Sequence, residues 1–265
     1  MGPARITPAA ARRRALGIAA IVAAGALGVL ALPPIPQDPR YHAFADQRRG
    51  LGIPHALNVV SNLPFLVVGA WGLAFLRRER PRPNGPMASP WERGALGVMF
   101  SGVALTGVGS AVYHLDPTSG TLVWDRLPIT VVAMTLLAIA VAERISLPAA
   151  RGLLPALLVV GAGSVLWWHA GELRGAGDLR LYGLVQFAPM VAILLMLWLF
   201  PPRYTRGADW LVALGWYALA RVFESLDAPV FALGQVVSGH TLKHLASAVA
   251  IAWLARMFAL RRPVT

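Results

Sequence analysis

The chain has 265 residues, of which 57% are hydrophobic and only 14% charged; about a quarter charged is usual for a soluble domain, so this chain lacks the polar surface of one. A net charge of +12 would suggest a nucleic-acid partner in a soluble chain, but here the arginines cluster in short segments beside apolar runs, where they orient membrane helices, and no nucleic acid is expected. No cysteine is present, which excludes disulfides and thiolate chemistry.

Eight apolar segments follow one another, at roughly 15–33, 55–76, 94–114, 122–142, 152–169, 181–200, 209–229 and 239–259. Each is close to the ~20 residues needed to cross a bilayer. The fold class expected is all-α: a polytopic membrane helix bundle with a seven-helix core plus one extra N-terminal hydrophobic helix. Residues 1–36 contain that helix. Its basic start and apolar run also fit a signal peptide, but "ALPPIP" makes a poor cleavage site, so an uncleaved anchor is the preferred reading. Residues 37–265 form the seven-helix domain.

Arg12, Arg13 and Arg14 precede the first segment, and Arg77, Arg78, Arg80 and Arg82 follow the second. Arg144 and Arg151, Arg203 and Arg206, and Arg256, Arg261 and Arg262 flank later connections that share that side when eight segments cross. The bias predicts both termini in the cytoplasm. "RRERPRPNGPMASPWER" is a proline-rich linker between the second and third segments.

Ionisable residues within spans mark sites by default. Ser110 and His114 fall at the outer end of the third segment, Asp125 at the outer start of the fourth, and His240 and His244 at the outer start of the eighth. Three helices far apart in sequence thus bring these side chains to one depth. His-x-x-x-His puts both imidazoles on one helical face, able to share a metal ion. A third histidine would complete a three-nitrogen set with a position left for water, the arrangement of a catalytic zinc site. Asp125 would then hold the water and take its proton, and Ser110, one turn before His114, would support the site or a developing oxyanion. Taken singly each residue has a plainer reading: interfacial histidines, a packing serine, an aspartate paired with Arg126. Their convergence favours a shared site.

Asn58, Ser61 and Asn62 lie on one face of the second segment and are read as inter-helix hydrogen-bonding groups around the site. His42, His55 and His169 are read as interfacial. Arg221 and Glu224 are spaced to pair; together with Asp227 they are either structural or contacts to a lipid headgroup. Glu172 and Asp178 are expected to be solvated.

"SAVYH", Asp125 eleven residues beyond His114, and "HTLKH" together resemble the alkaline ceramidase family, and "NVVSNLPF" is similar to the Asn-x-x-Ser-Asn segment of its first core helix. That family belongs to a superfamily of seven-helix membrane hydrolases that includes the adiponectin and progestin receptors. The resemblance spans most of the chain and is closest to bacterial members. It implies zinc on His114, His240 and His244, water activation by Asp125, and support from Ser110. It further implies hydrolysis of the amide bond of a ceramide-like or other N-acyl lipid drawn from the bilayer, in a bacterial inner membrane with the site near the outer face. In the family's calcium region the chain keeps Asp46 but has His55 in place of a glutamate, which argues against bound calcium. The alternatives are a non-catalytic receptor or scaffold with structural zinc, a haem protein with axial histidines, and a serine hydrolase through Ser110, for which no nucleophile elbow is present.

Overall fold

The computed structural model describes residues 6–264, whose regular secondary structure is helical, with no strand among them. The helices are α1 (Pro8–Ala31), α2 (Ala56–Val60), α3 (Leu63–Arg78), α4 (Pro90–Leu115), α5 (Leu122–Arg144), α6 (Leu147–Glu172), α7 (Arg180–Leu199), α8 (Asp209–Ser225), α9 (Asp227–Ala232) and α10 (Gly239–Leu260). Seven stretches are long and apolar enough to cross a membrane: α1, α2 with α3, α4, α5, α6, α7 and α10.

The remaining expected segment, 209–229, is not one helix. α8 stops after 17 residues and the chain resumes as α9. Pro229 has no N–H to offer the carbonyl of Ser225, and the chain turns at Leu226, with φ −104° and ψ 25°. A similar cause divides α2 from α3: Pro64 leaves the carbonyl of Val60 without its helical donor, and Ser61 and Asn62 sit at the joint.

α4 and α5 pack closely along their lengths and are the most buried of the spans. α1 lies at the periphery against α7 and is tied to it at both ends. Arg14 Nη1 donates to the carbonyl of Leu199 at 2.5 Å. At the other end Arg180 donates to the carbonyls of Leu30 and Leu32, while Asp178 accepts from the amide of Ile35 at 3.3 Å. Asp178 is therefore not the solvated group expected from sequence: it is paired with Arg180 at 2.7 Å and retains 14% side-chain exposure. The chain leaving α1 needs its backbone donors satisfied, and Asp178 is within reach to do so.

The arginine-rich connections share one end of the bundle. There Arg261, 1% exposed, pairs with Glu143 of α5 and donates through Nε to the carbonyl of Pro86 at 2.7 Å. Its guanidinium lies over the rings of Tyr204, at 4.1 Å, and Phe258, at 4.8 Å. The second Glu143 oxygen accepts from Trp210 Nε1 at 3.3 Å. One ion pair thus joins α5, α8, the α3–α4 linker and the end of α10. Glu143→Ala leaves a buried guanidinium unpaired and is expected to cost about 3–5 kcal/mol, seen as a lower melting temperature of the detergent-solubilised protein; an unchanged melting temperature would contradict this role.

Candidate metal centre

At the opposite end, three buried imidazoles meet. His114 stands in the last turn of α4, and His240 and His244 in the first turns of α10. One nitrogen from each lies within 4.8 Å of the others, a group that could hold a metal ion. His114 Nε2 is 3.3 Å from His244 Nε2 and 3.2 Å from His240 Nε2.

The helices meet here for local reasons. Pro128 removes the amide that would bond the carbonyl of Trp124, and that carbonyl faces α4 at Gly109. A Cβ at Gly109 would come within 1.9 Å of this oxygen, so glycine is what allows the start of α5 to lie against the serine–histidine turn of α4. α10 enters by a comparable approach: a Cβ on Gly239 would lie 2.2 Å from the carbonyl of Phe223. Its first turn is then fastened twice, by Ser238 Oγ accepting from the amide of Thr241 at 3.2 Å and by Asp227 accepting from the amide of His240 at 2.8 Å.

Neighbouring hydrogen bonds set the state of the rings. The Ser61 hydroxyl donates to the carbonyl of Asn58 at 3.1 Å, so its oxygen is left to accept from His244 Nδ1 at 2.8 Å. That fixes the proton of His244 on Nδ1 and leaves Nε2 as a bare lone pair aimed at the other two rings. His114 Nε2 can donate to one of its two close neighbours but not to both. A cation at the centre removes this conflict, and the spacing suits one: metal–nitrogen bonds of about 2.0–2.1 Å in a tetrahedral site put ligand nitrogens about 3.3 Å apart. The donor set fits a metal.

The other expected residues surround this centre. Ser110, Asp125 and His244 line a single cavity of about 440 Å³ that continues between α5, α7, α8 and α10 along apolar side chains such as Ile129, Leu136, Met190 and Leu254. Asn58 accepts from the Thr241 hydroxyl at 2.8 Å, which joins α2 to α10 beside the histidines. Arg221 pairs with Glu224, as its spacing predicts, and Glu224 also accepts from Lys243 at 3.3 Å. Asp125 makes no ion pair with Arg126 among the described residues, and Arg126 turns instead toward Trp168 and Tyr182. α7 and α8 flank the cavity with little direct packing, bridged by Gln186 Nε2 donating to the Tyr217 hydroxyl at 2.9 Å.

Three further residues complete the centre, and sequence reasoning did not place them there. Phe44, in the connection between α1 and α2, covers the imidazoles with ring centroids 4.6 Å from His114 and 4.5 Å from His240. Asp227 accepts from the amide of Ala45 at 2.9 Å as well as from His240, which resolves its reading as structural: it holds the cover to the helix beneath. Tyr113 packs beside His114 and bonds His42 Nδ1 at 2.9 Å. Burial, helped by Arg126, pulls His42 below the usual imidazole range. Asp46 is engaged by Arg48, at 2.7 Å and 2.8 Å, and those hydrogen bonds hold its carboxyl below the usual range against the opposing effect of burial.

Among known proteins, no family model and no curated relative matches the chain.

His244→Ala is expected to abolish stoichiometric metal in the purified protein. Ser61→Ala, which frees the His244 proton from its Nδ1 position, should weaken metal affinity about 10–100-fold, measured by competition with a chromophoric chelator. Equal affinity in wild type and Ser61→Ala would contradict the tautomer assignment.

Proposed function

We propose that the protein is a zinc-dependent membrane amidase of the alkaline ceramidase type, cleaving a ceramide-like or other N-acyl lipid. The observation that carries this reading is the position of Ser110, Asp125 and His244 at the polar end of a cavity with apolar walls. Such a space takes an acyl chain along its length and leaves the carbonyl beside the histidines. Zinc is the metal that suits three neutral imidazoles in tetrahedral geometry, and when bound it supplies Lewis acidity toward a carbonyl and toward water.

The residues of the chain do the rest. His114, His240 and His244 would hold the ion, with the Ser61 hydrogen bond keeping the His244 ring oriented. Asp125 takes a proton from the attacking water and returns it to the nitrogen as the carbon–nitrogen bond breaks, so that a fatty acid and an amine are released. Ser110, one turn before His114, donates its hydroxyl to the oxygen that gains charge. Phe44 keeps bulk water from the rings. The His114 and His240 nitrogens approach to 3.2 Å, which leaves no room for a haem plane between them and argues against the haem alternative. The arginine bias supports a cytoplasmic arginine-rich end with the histidines near the outer face, and the resemblance to bacterial members implies an inner membrane.

Release of free fatty acid from a panel of N-acyl lipids tests the proposal. Asp125→Asn should retain metal and lose about 10²–10⁴-fold in turnover. Metal loss in that variant, or unchanged turnover, would overturn the assigned role. Wild-type protein that holds zinc and releases no fatty acid from any lipid would be a receptor or scaffold instead.

A further inference from the structure

Arg126 follows Asp125 in the first turns of α5, is 4% exposed, and lines the same cavity. It has no carboxylate partner among the described residues. Its guanidinium lies 4.1 Å from the Trp168 ring and 4.5 Å from the Tyr182 ring, so aromatic faces take up the cation, an arrangement that suits arginine's planar group. The donors at its edge are only partly used. Nη2 donates to Gln37 Oε1 at 2.6 Å, while Nη1 is buried and has no partner among the described residues. A buried donor on a cation is costly to leave unmet. The cavity is the space in which an acceptor could stand.

We propose that Arg126 is the recognition residue for an anionic group, phosphate or carboxylate, carried on the amine side of the bound lipid. This deepens the amidase reading and rests on it for the direction of the substrate. An acyl chain lying along Ile129, Leu136 and Met190 brings its amide to Ser110, Asp125 and His244. The part beyond the nitrogen then falls at the polar end, where Arg126, Gln37 and Tyr41 line the wall. A planar guanidinium held by its faces presents in-plane N–H groups, which match the paired oxygens of a carboxylate or phosphate. Lys243 and Arg221 line the same cavity, but Glu224 engages both. Arg126 is the cation left to meet the ligand.

Binding to the full chain in a neutral detergent tests this without requiring turnover. The probes are dodecyl phosphate and N-dodecanoylglycine, the neutral N-dodecanoylethanolamine, and inorganic phosphate, each titrated calorimetrically. Wild-type protein should bind the two anionic amphiphiles at least about tenfold more tightly than the neutral one, one charge-assisted contact being worth that much. In Arg126→Gln, with metal content still at the wild-type level, that ratio should fall to about one. Arg126→Lys, the second variant in case the first does not fold, keeps the charge but not the planar fork and should give an intermediate ratio. Equal affinities in wild type would overturn the proposal, as would a ratio preserved in Arg126→Gln. Inorganic phosphate binding as tightly as dodecyl phosphate would also overturn it, since the site would then serve a free anion. A preserved ratio in a wild-type protein that hydrolyses no lipid would sink the amidase reading and leave the anion site standing.

Discussion

Within hydrocarbon a backbone amide or carbonyl has no water to bond, so a chain of this composition must keep its middle helical and confine irregular backbone to its ends. That constraint governs where chemistry can be built. The two ends use it differently. At the arginine-rich end the buried Glu143–Arg261 pair ties segments together. At the other, the Ser61–Asn62 joint, the Leu226 break and the connection carrying Phe44 gather around three imidazoles. The breaks are needed there, because a straight helix presents side chains only along its own face. The α2–α3 joint delivers a serine hydroxyl to His244, and the α8–α9 break delivers an aspartate to the amide of His240.

Proline and glycine act as a pair in this arrangement. Pro128 strips a carbonyl of its helical donor, and Gly109 on the facing helix gives that carbonyl room. The contact sets the spacing of α4 and α5 at the depth of Ser110 and Asp125. The polar groups of the site thus owe their positions to backbone geometry as much as to their own hydrogen bonds.

The spans and the histidine pair could be read from residues alone because each signal is periodic or compositional: apolar length for the helices, a four-residue spacing for His240 and His244. The Arg221–Glu224 pair was visible for the same reason. Asp227 was not, because it binds two backbone amides, and no spacing of side-chain types reports such a role. Phe44 was hidden in a connection without periodicity, and its contact with two rings exists only after three helices and that connection have met. Asp178 looked like a loop carboxylate because its partners, Arg180 nearby and the amide of Ile35 far away in sequence, appear only when α1 is laid against α7. In the sequence Arg126 reads only as a neighbour of Asp125, whereas adjacent helical residues point in different directions.

The weakly packed seam between α7 and α8, spanned by the Gln186–Tyr217 hydrogen bond, bears on how such a protein senses its surroundings. A ligand that resides in the bilayer and reaches the cavity sideways through this seam is presented at its mole fraction among the lipids, not at its molarity in water. Occupancy would then track the composition of the surrounding leaflet and would fall when the same amount of ligand is spread through more lipid. That neutral hydrogen bond and the Arg221 guanidinium over the Phe187 ring, 5.5 Å from its centroid, make a modest latch, each contact worth about 1 kcal/mol. Sampling of the membrane by the cavity would be governed by lateral diffusion and lipid packing around two helices.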